Sequence, residues 1–261
     1  MGQPQLLVGV NAGFDRIHTI IVRQEANGGM RLMGQSRKRD IVKPGNQESM
    51  AERVRQSILE AIHDAEVRPT DLLAIGIASP GQIEYNHGVI LYATNLAVTD
   101  FPFAEMVQSH FDCHVALIND IDAQAVGEQK LGTGKGYEHV VYLYVGHGIG
   151  SGIIIDGNLY IGSNHLAGEF GHTTVDYHGS PCLCEHGIGC LEAISSRIGM
   201  GKTIQTAHQQ GKETILAKLT DLTEDPLDLN ATIIVDAIDQ GDPLTISVVE
   251  EAAEAFGAPA I

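Results

Sequence analysis

Tryptophan is absent from this 261-residue chain, cysteine occurs four times, and basic residues are scarce: 16 lysines and arginines stand against 33 aspartates and glutamates. The net charge of -17 argues against direct nucleic-acid binding, because a phosphate backbone needs a basic face. No apolar run is long enough to span a bilayer. The N-terminus shows no basic stretch, apolar core and cleavage site of a secretory signal. These absences point to a cytoplasmic protein with no membrane partner. In a reducing compartment, clustered cysteines are metal ligands more often than disulfides.

The hydrophobic pattern alternates between strand and helix. Leu6 to Val10 reads as a buried strand, Ile17 to Val22 as its partner, and Met30 to Met33 continues the meander after a hairpin turn at Asn27-Gly28-Gly29. Pro44 and Gly45 break that pattern. Met50, Val54, Ile58 and Ile62 then recur at four-residue spacing, one face of an amphipathic helix, with Asn46 available as its cap. Strands are predicted at Leu72 to Ala78, Val89 to Tyr92 and Val115 to Ile118, and helices at Phe103 to Phe111 and Ile121 to Leu131. Gly132 to Gly136 is a glycine-rich joint, after which strand, turn and strand begin again: Val140 to Val145, a flexible turn over Gly146 to Gly152, and Ile153 to Ile155, with Asp156-Gly157 as a second hairpin turn. Leu191 to Gln209, Asp228 to Gln240 and Leu244 to Phe256 read as helices. The restart near Gly136 predicts an α/β protein of two similar lobes, residues 1–131 and 132–261.

Three constellations carry chemistry. Cys182, Cys184 and Cys190 fall within nine residues, with His172 upstream, and three thiolates plus an imidazole are the donors of a closed, structural Zn2+ site. His178 and His186 are alternative fourth ligands, and the bland reading is reduced, buried cysteines without metal. Cys113, apart from the rest, reads as a small buried hydrophobe. Asn119-Asp120 sits where a buried strand meets a helix, the edge at which ligands of open α/β folds gather. Asp120 there can accept a proton from a sugar hydroxyl, although, taken alone, plain helix capping by Asn119 or Asp120 is the better explanation of the pair. Finally, Gly146, Gly148 and Gly150 resemble a phosphate cradle of backbone N–H groups, interrupted by His147. The other histidines need no special account: most, such as His63 and His110, fall on predicted helix faces and read as solvated.

The order of these motifs resembles the ROK family of repressors and sugar kinases, from about Leu6 to the end of the chain. AGEFGHTTVD followed by CLCEHGIGCLE carries the likeness, supported by ASPGQIEYNHGVILYATNL, LINDIDAQAVGEQKLG and GHGIGSGIIIDGNLYIGS. The resemblance implies two actin-like, ribonuclease H-like lobes around a sugar-binding cleft, and a homodimer or homotetramer. It implies that Asn119, Asp120, Glu169, His172 and Glu192 bind sugar hydroxyls, lined by Gly81 and Asn95, with Asp120 as general base in a kinase. It also implies zinc on His172, Cys182, Cys184 and Cys190, so that His172 has two jobs for its two ring nitrogens.

Three departures from the family pattern shape the functional expectation. Where kinases of the family carry an Asp-x-Gly-Gly-Thr-Lys type loop, this chain has Asn11-Ala12-Gly13-Phe14-Asp15-Arg16, with bulk and negative charge facing any phosphate. His147 replaces the usual threonine. In the zinc loop, Glu185 stands for a glycine and one extra residue precedes Cys190. The sugar half is whole and the ATP half, including Gly13, is eroded. The expectation is therefore the effector domain of a regulator of the N-acetylglucosamine- or xylose-repressor type, binding a monosaccharide or amino sugar. The alternative is an ATP- and Mg2+-dependent sugar kinase of glucokinase or N-acetylhexosamine kinase type. The chain opens directly at its first strand without a helix-turn-helix and stops in a helix-like run, which reads as a C-terminal truncation.

Overall fold

Leu6, Val8, Val10 and Ala12 alternate inward along β1 (Leu6–Ala12), and this strand organises the first part of the molecule. In the computed structural model, which describes residues 6–13, 16–26, 28–38, 45–182, 187–224 and 229–257, the chain forms two compact units. The first is Met1–Gly136 with Ile161–Leu166, and the second is Tyr137–Tyr160 with Ala167–Ile261. The sequence puts one boundary after Leu131; the short segment Ile161–Leu166 instead packs with the first unit.

In the first unit, β1 pairs antiparallel with β2 (Ile17–Gln24), which pairs with β3 (Met30–Lys38). The helix α1 (Gln47–Asp64) begins where the four-residue spacing starts, and the side chain of Asn46 caps it by accepting from the backbone N–H of Ser49 at 2.9 Å. Val54 and Ile58 on its inner face are fully buried, each contributing roughly 1.5–3 kcal/mol by leaving water. Next come β4 (Leu72–Ser79), β5 (Gln82–Glu84), β6 (Val89–Ala93), β7 (Val98–Phe101), α2 (Phe103–Gln108), β8 (His114–Asn119) and α3 (Asp120–Leu131). The five-stranded sheet has the order β3-β2-β1-β4-β8, and β5, β6 and β7 form a separate small sheet. Strands β1, β4 and β8 run parallel, so their carboxyl ends share one edge, with Ser79 in register with Asn119. Cys113 packs against the core of this unit.

The second unit opens with β9 (Val140–Val145), β10 (Ile149–Ile155) and β11 (Asn158–Leu159), an antiparallel sheet with β9 at one edge among the described residues. Asp156 and Gly157 both take positive φ, 51° and 73°, as a two-residue hairpin turn demands. The flexible turn expected over Gly146 to Gly152 is shorter than that. Gly150 and Gly152 lie within β10, paired with Tyr144 and Tyr142, and cross-strand aromatic neighbours compensate for glycine in a strand.

Helices follow: α4 (Leu191–Ser195), α5 (Arg197–Gln209), α6 (Leu216–Leu219), α7 (Ala231–Asp239) and α8 (Pro243–Gly257). The single helix expected from Leu191 to Gln209 is two. Ser196 leaves helical geometry (ψ 162°) and its hydroxyl accepts from Gly199 N–H at 3.0 Å, starting α5 as a cap. Helix α7 starts after Asn230, which caps Thr232 N–H at 2.8 Å; the predicted start at Asp228 lies outside the described residues, as do Asn27 and Pro44. Ile204, Leu216, Leu229 and Val248 form the helical core. Asp242 is buried beside it and accepts from Thr214 Oγ1 at 2.8 Å and from the Ile215 and Thr245 N–H groups at 3.1 Å. No helix among the described residues is long and apolar enough to cross a membrane.

Candidate functional site

Two clusters of the expected residues form, one in each unit. In the first unit, Asn119 ends β8 and Asp120 opens α3. Asn119 Oδ1 accepts from Ile121 N–H at 2.8 Å and Asp122 N–H at 3.2 Å, while its Nδ2 donates to the Gly81 carbonyl at 3.0 Å. Asn119 therefore caps the helix, as the bland reading held, and the same side chain ties the helix to the Gly81 turn. Asp120 Oδ1 also receives Ile121 N–H, at 3.0 Å. Burial pushes the Asp120 carboxyl above its ordinary range, and the bonds from the backbone oppose this only in part. A carboxylate held that way at a helix N-terminus has the character of a general base. Asn95 is exposed in the short turn after β6, two residues beyond Ala93, which packs on Gly81.

In the second unit, the Ala167–His172 stretch lies along β10. Ser151 donates to the Gly168 carbonyl from both its N–H (3.0 Å) and its hydroxyl (2.8 Å). Gly168 takes φ +87°, and a Cβ on it would come within 2.2 Å of Ser151 O. A Cβ on Gly171 would come within 2.3 Å of Ile149 O. Both glycines are needed because the backbone approaches the strand this closely. Gly171→Ala is expected to cost about 3 kcal/mol, at the top of the range for overpacking. Thermal denaturation will read that as a drop in Tm of roughly 6–12 °C. Phe170 packs edge-on against Phe256 of α8, ring centres 5.9 Å apart.

This docking fixes Glu169 and His172. His172 lies between two partners, with Nδ1 3.6 Å from Cys182 Sγ and Nε2 3.7 Å from Glu169 Oε2. Burial raises the Glu169 carboxyl first, His172 draws it down, and the Glu192 charge raises it further; its side chain keeps 52% exposure, so water moderates these effects. Glu192, in the first turn of α4, accepts from Ile149 N–H at 2.8 Å. The imidazole of His172 and the thiols of Cys182 and Cys190 bring their donor atoms within 4.8 Å of one another. Imidazole and thiolate at that spacing fit Zn2+, and Glu169 behind Nε2 is the kind of carboxylate that orients a metal-bound histidine. Cys184, Glu185 and His186 lie outside the described residues. His178 is exposed and its N–H donates to Asp176.

The loop carrying these thiols has little apolar content and is held by backbone pairing. Cys182 N–H donates to Gly187 O at 2.8 Å, Gly189 N–H to Ser180 O at 2.7 Å, and Leu191 N–H to Thr173 O at 2.9 Å.

The two glycine turns expected to cradle phosphate each carry an internal backbone bond. Gly13 N–H donates to Arg16 O at 3.1 Å, and Gly146 N–H to Gly148 O at 2.9 Å. Phe14 and Asp15 lie outside the described residues. Several side chains at the first cluster carry no sequence signal. Tyr85 binds buried Asp122, and His165 stacks on Tyr85, although the sequence reading treats that histidine as unremarkable.

Among known proteins, a xylose repressor from Caldicellulosiruptor bescii is 30% identical over 96% of this chain and 60% of its own length. A glucokinase from Halalkalibacterium halodurans is 34% identical over 72% of this chain and 56% of its own. The chain thus spans little more than half the length of these relatives. Among solved structures, a glucokinase from Streptomyces griseus in complex with glucose and AMPPNP superposes with a TM-score of 0.76 at 27% identity, covering 97% of this chain and 77% of that one. The α/β architecture is the actin-like fold of sugar kinases, and the sequence matches the ROK family over residues 7–261: this chain belongs to the ROK family.

Proposed function

We propose that this chain is the sugar-binding effector part of a carbohydrate-responsive transcriptional regulator and transfers no phosphate. Its ligand is a monosaccharide or amino sugar. In the first unit, Asn119 and Asp120, flanked by Gly81 and Asn95, receive hydroxyls; in the second, Glu169, His172 and Glu192 do. Carboxylates and amides suit a polyol because each accepts or donates the bonds that its hydroxyls would otherwise make to water. A structural zinc on His172, Cys182 and Cys190, joined by Cys184, fixes the loop beside Glu192. The protein works in the cytoplasm as a homodimer or homotetramer.

One observation carries the choice of sensor over kinase. The Gly13 N–H of the first loop is engaged by Arg16 O. The neutral Asn11 and the bulk and charge of Phe14 and Asp15 act in the same direction. The turn that carries Gly146, His147 and Gly148 is likewise self-bonded, and Gly150 lies in a paired strand.

The second reading is an ATP- and Mg2+-dependent hexose or N-acetylhexosamine kinase. The placement and raised pKa of Asp120 favour it, as does the likeness to glucokinases. Calorimetric titration with xylose, glucose and N-acetylglucosamine, with and without ATP and Mg2+, tests the choice beside an ADP-release assay. The expected result is micromolar to millimolar sugar binding, indifferent to nucleotide, with no ADP formed. ADP release that disappears in Asp120→Asn would replace the sensor with the kinase, and binding of no sugar would sink both.

A further inference from the structure

Tyr85, in the turn after β5, touches two residues that flank the candidate sugar groups in sequence. Its hydroxyl donates to Asp122 Oδ2. Asp122 is 7% exposed and stands two residues after Asp120 in the first turn of α3. The ring of Tyr85 stacks on the imidazole of His165, centroids 5.7 Å apart and planes inclined by 22°. His165 stands four residues before Glu169.

Next to this stack, Gln82 Nε2 donates to the Asn164 carbonyl at 2.8 Å. These contacts hold Ile161–Leu166 on the first unit, although the chain on either side of it belongs to the second. His165 takes φ +57°, a left-handed geometry uncommon for residues other than glycine, and among the described residues its Nδ1 is buried without a hydrogen-bond partner. The stack on Tyr85 and the bond from Gln82 help offset the cost of burying that nitrogen.

We propose that Tyr85 is a positioning residue for Asp120 and for the segment Ile161–Leu166. Through Asp122 it fixes the first turn of α3, and through His165 it docks Ile161–Leu166 on the first unit. The consequence for ligand affinity rests on the sugar-binding reading above; the docking of 161–166 does not.

Three variants of the full chain separate the contacts. Tyr85→Phe keeps the ring and loses the hydroxyl, His165→Ala loses the stack, and Tyr85→Ala loses both. Hydrogen exchange reads the amides of 161–166 and of the first turn of α3, calorimetry reads affinity for glucose and xylose, and thermal melts read stability. Tyr85→Ala and His165→Ala are expected to speed exchange over 161–166 by about tenfold, a shift equal to that of a tenfold change in an equilibrium constant. Tyr85→Phe restores that protection while loosening only the α3 turn. Sugar affinity falls about tenfold in Tyr85→Ala with the melt within a few degrees of wild type. Unchanged exchange in both alanine variants overturns the proposal, and so does acceleration spread evenly over the first unit. Wild-type affinity in Tyr85→Ala despite a loosened segment also overturns it. If the wild type binds no sugar, the proposed function fails, and the exchange comparison still decides whether Tyr85 docks the segment.

Discussion

Removal of the zinc proposed on His172, Cys182 and Cys190 is expected to lower the melting temperature of the chain by more than about 10 °C, a loss of roughly 3–5 kcal/mol at this size. Structural zinc binds isolated fingers with about 10–16 kcal/mol, and that energy is folding energy. Only part of it is at stake here, because the loop also has its own backbone ladder from Thr173 to Leu191. Cys190→Ser is expected to act like a chelator, dropping the metal content from the proposed one zinc per chain and lowering Tm by a similar amount. Cys190 is also the residue directly before α4, at the cap position, with Glu192 in the first turn behind it. The loss therefore spreads to Glu192 and through it to Ile149 N–H, so sugar affinity falls together with metal content. Elemental analysis and melts with and without chelator check this, and a metal-free protein that melts like the untreated one would refute it.

Asp120→Asn is expected to move stability and function in opposite directions. Burial raises the Asp120 carboxyl above its ordinary value, so the fold prefers the protonated form. The stability this contributes is complete below the unfolded carboxylate pKa of about 3.9 and is lost as pH rises through the raised folded value. At pH 7 the ionised side chain is a burden on the fold. Asparagine removes that charge and keeps an oxygen for Ile121 N–H, so Tm rises at pH 7 and changes little near pH 4. Hydrogen bonds to a charged group are worth about 1.5–3 kcal/mol, and losing that charge weakens sugar binding by roughly 10- to 100-fold. If the protein transfers phosphate, the turnover falls by about 100- to 10,000-fold as well. Melts at the two pH values and a sugar titration measure both sides. A lower Tm at pH 7 with unchanged affinity would refute the assignment of Asp120.

Much of this was legible in the sequence because two periodicities and two kinds of cap report directly on local geometry. The strand read from Leu6 to Val10, the four-residue spacing of α1 and the cap at Asn46 all appear as read. Errors fell where one local signal was outweighed. Glycine usually marks a turn, yet Gly150 and Gly152 lie in β10, paired with tyrosines on the neighbouring strand. The break at Ser196 was visible as a serine pair but lost in a longer helical period.

At the site, residues close in sequence could be grouped in advance: Asn119 with Asp120, and His172 with the thiols. The roles of Tyr85, Gln82 and His165 depend on contacts across 37 to 82 positions, which no local pattern encodes. Ser151 shows the same limit: nothing in a glycine-rich hairpin marks which serine will hold the backbone of Gly168.

The edge position of β9 has a consequence for behaviour in concentrated solution. Val140–Val145 reads VVYLYV, six uncharged residues of which five are β-prone, and Val141 and Val145 are exposed at 63% and 49%. An apolar edge strand of this kind, without a second partner strand among the described residues, is a template for strand-by-strand self-association. The main protection available is the acidic surface, with its excess of 17 negative charges, which keeps copies apart by mutual repulsion. Salt shortens the reach of that repulsion and leaves the edge strand as it is, so colloidal stability is tied to ionic strength more closely than folding stability is.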